Sequence, residues 1–87
     1  MKMDKRIEKA INIIYMYRED NPCSDAKLAN EVRLWNFMVD NYVALKNDKL
    51  TQYQLNQLND LDPTWIEHIE AELISVYDEF MKGILHE

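Results

Sequence analysis

The sequence predicts an all-α fold, a small four-helix domain in which a three-helix unit is followed by a long C-terminal helix. Three observations predict it. Apolar residues recur at three- and four-residue spacing in four separate segments, which places them on one helix face each time. Each segment has a capping residue or a breaker at its edge. The 87 residues include one Gly and two Pro, so little of the chain is left for loops. No linker, repeat or strand-like alternation divides the sequence, which reads as one domain, residues 1–87.

The first helix carries Ile7, Ala10, Ile11, Ile14 and Tyr15 on one face. Asp4 is its expected N-cap, a carboxylate able to accept from the free amides of the first turn. Pro22 pushes Asn21 out of helical geometry, so the helix ends near Glu19. Ser24 is the expected cap of a second helix, about residues 25–46, with Leu28, Val32, Trp35, Val39 and Tyr42 along one stripe. Leu34, Phe37, Met38 and Leu45 widen that stripe, which predicts a helix in the middle of the domain with neighbours on two sides. Asn47-Asp48 ends it, both residues being tolerant of turn geometry.

Thr51-Gln52-Tyr53-Gln54 fits a capping box, and Leu50 with Leu55 fits the accompanying hydrophobic staple. A short third helix, about residues 52–59, follows with Leu55 and Leu58 inward. Asp62 then reads as an N-cap with Pro63 at the first helical position, where its missing amide costs nothing. From Trp65 the series Ile66, Ile69, Leu73, Val76, Tyr77, Phe80 and Ile84 keeps its period, predicting a last helix of about 22 residues, roughly 33 Å long. Gly83 weakens its final turn.

Apolar residues at 47% and charged residues at 30% are the balance of a folded protein, not of a disordered tail. No apolar run approaches the roughly 18 residues needed to cross a bilayer. The charged start Met1-Lys2-Met3-Asp4-Lys5-Arg6 lacks the apolar stretch of a signal peptide. The expectation is a cytoplasmic protein without membrane contact. Cys23, the one cysteine, forms neither an internal disulfide nor a thiolate cage alone, and reads as a small turn residue.

The net charge of −6 is unevenly spread. Residues 1–50 hold nine Lys or Arg against eight Asp or Glu, whereas residues 51–87 hold Lys82 against eight acids. Nucleic-acid affinity comes largely from cations that release phosphate counterions, so the second half repels such a ligand and any nucleic-acid face lies in the first. There Lys2, Lys5, Arg6 and Lys9 share one side of the first helix. They read as solvated or paired with the acidic last helix before they read as phosphate contacts. The third helix carries Gln52, Gln54, Asn56, Gln57 and Asn59, and paired amides can read adenine in a major groove. Without Lys or Arg beside them they read as an uncharged polar surface.

Nothing assembles into a catalytic constellation. His68 and Glu72 stand one helical turn apart with Glu67 and Glu70 nearby, but no second His lies at ligand spacing, and the group reads as a solvated acidic face. Cys23 and the serines have no sequence-adjacent base, and the single Gly makes no phosphate loop. The expectation is no enzyme, with no catalytic residue, cofactor or metal. Trp35, Trp65, Tyr15, Tyr42 and Tyr77 fall on the apolar stripes and read as core.

Phe37 within Leu34-Trp35-Asn36-Phe37, Leu45-Lys46, Lys49-Leu50-Thr51, Leu58, Leu61 and Trp65 together resemble the helicase-associated domain, a three-helix module found beside bacterial and viral helicase-like proteins. Ile14-Tyr15 to Tyr17-Arg18 resembles that family's first helix, so the likeness covers about residues 5–65. The chain departs from the family pattern at Phe37, at Asn41-Tyr42 and at Asp48. The resemblance implies nucleic-acid contact in support of a helicase, and a last helix that is an addition or the start of a second unit.

The leading functional expectation is a protein-interaction or assembly module, binding a protein partner or a second copy of itself. Its interface is placed on the last helix, on Glu70, Glu72, Val76, Asp78, Glu79, Phe80 and Ile84, because that apolar stripe exceeds what so small a body covers. An acidic, phage-type inhibitor of a nucleic-acid-handling protein is one form of this reading. The alternative is a nucleic-acid-binding accessory domain of helicase-associated type, working through Lys2, Lys5, Arg6, Lys9, Lys27 and Arg33.

Overall fold

A computed structural model of the chain describes residues 3–21 and 27–85, with side-chain surroundings given up to residue 83. Four helices form in order: α1 (Lys5–Asp20), α2 (Asn30–Lys46), α3 (Gln52–Leu61) and α4 (Trp65–Leu85). The described residues contain no strand, as the all-α reading expects.

Local chemistry explains most helix ends. The Asp4 carboxylate accepts from the Arg6 backbone amide at 2.8 Å, capping α1. The capping box of α3 is complete: Gln54 N donates to Thr51 Oγ1 at 3.1 Å, and Thr51 N donates to Gln54 Oε1 at 3.0 Å. At the end of α2, Asp48 takes a left-handed backbone with φ 57°. Its amide bonds the Leu45 carbonyl at 3.2 Å, and the Lys49 amide bonds the Ala44 carbonyl at 2.8 Å. These are the two bonds of a Schellman motif, which closes a helix by turning the chain back over its last carbonyls.

Two starts differ from the expectation. Helix α2 begins at Asn30, because Ala29 is extended with ψ 153° and interrupts the helical backbone although the apolar period runs through it. The expected cap, Ser24, lies outside the described residues, as do Pro22 and Cys23. Helix α4 begins at Trp65, two residues after Pro63. The Asp62 carboxylate accepts there from both the backbone amide and the hydroxyl of Thr64, each at 3.0 Å, the same two-residue amide bond by which Asp4 caps α1. Asp62 thus caps the entry as expected, while Pro63 and Thr64 form a tight turn ahead of the helix.

The core consists of Ile7, Ala10 and Ile11 from α1, Val39 and Tyr42 from α2, Leu58 from α3, and Trp65, Ile69 and Leu73 from α4. Helix α4 packs most extensively against α1 and also touches α2. This corrects the expectation of a central α2: α4 occupies that position. Ala10, fully buried on the inner face of α1, presents only a methyl group and so permits close helix approach. The wide stripe of α2 is only partly used, since Leu34 is 59% and Phe37 49% exposed. The molecule measures 45 × 33 × 19 Å, and its short dimension is about two helix diameters, so every helix keeps a side toward solvent.

Candidate functional site

Two polar clusters fasten α2 to its neighbours. Arg18, in the last turn of α1, donates from Nη1 to Asp40 Oδ1 at 2.9 Å and from Nη2 to Asn36 Oδ1 at 2.7 Å. Its guanidinium also lies 5.3 Å from the centroid of the Tyr15 ring, a cation–π distance. Burial, reinforced by Asp40, pushes the Tyr15 hydroxyl above its ordinary pKa. In the second cluster the Tyr42 hydroxyl donates to Glu70 Oε2 at 2.7 Å, and Lys46 Nζ stands 3.9 Å from the same oxygen. Burial first, and the bond to Glu70 second, raise the Tyr42 pKa strongly.

Between these fastenings the apolar surfaces open into two grooves. One, of about 640 Å³, lies between α1 and α2 over Val76, with Ile14, Tyr17, Val32 and Trp35 on its sides and the Arg18–Asp40 pair within it. The other, of about 660 Å³, lies between α2 and the α3–α4 turn. Helix α2 contributes Glu31, Leu34, Trp35 and Met38 to it, and α4 contributes Trp65, His68, Ile69 and Glu72. Both sets have the spacing i, i+3, i+4, i+7, so each wall is one helix face about two turns long. Leu61, 73% exposed at the end of α3, and Asp62 complete the rim. Trp35 belongs to both grooves.

The second groove is built by short-range forces. Trp65 is 1% exposed, and its Nε1 donates to Asn59 Oδ1 at 3.0 Å, holding the end of α3 against the start of α4. His68 Nδ1 lies 2.8 Å from Asp62 Oδ2, tying the first turn of α4 to the preceding turn. The Thr64 amide and His68 hold the Asp62 carboxyl below its ordinary pKa. The rim carboxylates are Glu31, Asp62 and Glu72, and no Lys or Arg lines the groove among the described residues. A smaller depression beside it, of about 520 Å³, shares Leu61 and adds Phe37 and Asp60.

The residues singled out on the last helix differ in their surroundings. Glu70 is half-buried and committed to Tyr42, not a free rim carboxylate. Glu72 stands on the rim of the second groove, and Val76 is half-buried beneath the first. Asp78 and Glu79 are exposed, with Glu79 Oε1 3.8 Å from Lys82 Nζ, and Phe80 is 46% exposed. The side chain of Ile84 lies outside the described residues. Of the cations, Lys5, Lys9 and Lys27 are exposed, and Lys2 lies outside the described residues. Arg6 bonds Asp4 at 3.4 Å, and Arg33 bonds Asn30. Among the described residues no group of three His, Cys, Asp or Glu is placed to share a metal ion, and no helix is long and apolar enough to cross a membrane.

Sequence reasoning did not anticipate the second groove or the Arg18 fastening. The signal for the groove was present in the excess width of the α2 stripe, which was assigned to a second packed neighbour. Compared with protein-family models, curated proteins and solved structures, the chain matches none.

Proposed function

We propose that this chain is a protein-interaction module that binds its partner in the groove between α2 and α4, without catalytic chemistry of its own. The observation that carries the reading is the open apolar trough itself: the half-buried Trp35 and Met38 of α2 over the buried Trp65 and Ile69 of α4, edged by the exposed Leu34 and Leu61. A contiguous exposed apolar surface on so small a body is where association gains the most from removing water. The distal end of α4 supports the reading less well, because Val76 is half-buried and Phe80 lines neither groove. The acidic second half of the chain, carrying Lys82 against eight acids, disfavours nucleic acid as the ligand of this face.

Affinity capture from lysate of the source organism, with and without nuclease, tests the proposal, with wild type beside Leu34→Asp/Leu61→Asp and Phe80→Asp. Both leucines are exposed, so the double variant keeps its helical circular dichroism. Loss of capture in the double variant alone supports the groove. Loss with Phe80→Asp alone moves the interface to the distal α4. Capture that disappears with nuclease, together with tight and steeply salt-dependent DNA binding lost on Lys5→Glu/Lys9→Glu, favours the nucleic-acid reading instead.

A further inference from the structure

We infer that the partner element seated in the α2–α4 groove is a basic amphipathic helix, with apolar side chains facing the tryptophans and Lys or Arg along its flanks. The inference rests on the groove reading above and names the class of ligand that fits it. The shape argues for a helix. Two facing helix walls, each presenting side chains at i, i+3, i+4, i+7, form a trough into which the side-chain ridge of a third helix packs. The matching ligand anchors over the same two turns, about 11 Å of floor. The described chain has no sheet edge on which an extended peptide could add a strand.

The charge argues for basic flanks. Glu31 and Glu72 come from the two facing helices and both border the trough, Asp62 stands at its end already bonded to Thr64 and His68, and no Lys or Arg among the lining residues offsets the two glutamates. Asp60 extends the acidic border past Leu61. A ligand with Lys or Arg beside its apolar ridge meets carboxylates on both walls, while an acidic ligand meets like charge as the groove closes and water leaves. The same border disfavours a second copy docked face to face, because a twofold contact brings the Glu31 and Glu72 border of one copy onto the same acidic patch of the other.

The test uses two tryptophan-free synthetic helices of identical length with Leu at i, i+3, i+4, i+7, one flanked by Lys and the other by Glu. Trp35 is half-buried in the groove wall, so the protein's own fluorescence reports binding, and because Trp35 also borders the first groove the Leu34→Asp/Leu61→Asp variant assigns the signal to this one. The Lys-flanked peptide is expected to shift the emission, to bind at least about tenfold more tightly than the Glu-flanked one, and to weaken at high salt. Glu31→Gln/Glu72→Gln should cost the Lys-flanked peptide about tenfold and leave the fold intact. Equal binding of the two peptides, or binding of neither, overturns the basic-helix inference. The groove reading falls separately if Leu34→Asp/Leu61→Asp leaves peptide binding and partner capture unchanged. Sedimentation of the protein alone completes the set: a dimer that Leu34→Asp dissociates makes a second copy the occupant and also overturns the inference.

Discussion

The Tyr42 ring is fully buried, while its hydroxyl reaches a Glu70 carboxylate that also faces Lys46. Tyr42→Phe keeps the ring packing and removes one charge-assisted bond, so urea melts near neutral pH should show a loss of about 1–2 kcal/mol. The raised pKa fixes the pH dependence. Below the ordinary tyrosine value of 10 both folded and unfolded chains hold the proton, and the contribution is fully present. Above it the unfolded chain releases the proton while the folded chain retains it, so stability falls as pH rises toward the folded value. The stability gap between wild type and Tyr42→Phe should therefore narrow above pH 10, and a gap that widens would contradict the geometry. Asp48 offers the opposite case. It holds a left-handed φ of 57° and places negative charge at the C-terminus of α2. Asp48→Gly removes both penalties, and thermal melts should show a gain of about 1 kcal/mol.

At the scale of single helices, what could be read from sequence was what depends on near neighbours. The Asp4 cap and the Thr51-Gln54 box are contacts across two or three residues, and residue type at the right offset determines them. Thr51→Ala should cost about 1 kcal/mol, measurable by the same melts. The start of α4 was placed two residues early: Asp62 does cap the entry through the Thr64 amide, but the Trp65 amide bonds the Asp62 carbonyl at 3.1 Å in a tight turn before the helix begins. Gly83 sits in α4 with nothing within 4 Å of the position a Cβ would take. Gly83→Ala should raise stability by about 0.5–1 kcal/mol, and a loss would show that the final turn is not helical in solution. Which stripe faces which was harder to read. Periodicity locates an apolar face but carries no information about the helix that covers it, and the α2 stripe is wide enough to suggest two neighbours. The groove was missed for that reason.

For the molecule as a whole, the resemblance to a three-helix module makes a claim that packing can test. Trp65, Ile69 and Leu73 supply a third of the buried core residues, and α1 packs chiefly on the helix that carries them. A chain ending at Trp65, where the likeness ends, should therefore show no cooperative thermal transition, whereas a self-sufficient three-helix unit would melt sharply. Within the intact chain, Leu73→Ala alone should cost about 2–5 kcal/mol, a large share of what a domain this size has.

The pairing of α1 with α4 joins segments separated by the whole of residues 21–64. Loop closure of that length precedes the contacts that compensate for it, so folding should be slower than in a bundle whose successive helices pack in turn. During synthesis the consequence is sharper. As α1 leaves the ribosome its apolar face has no principal partner, and it stays uncovered until α4 has also emerged. A nascent chain of this protein thus displays an unsatisfied amphipathic helix from the emergence of α1 until that of α4, an interval in which other surfaces of the cell can shield it.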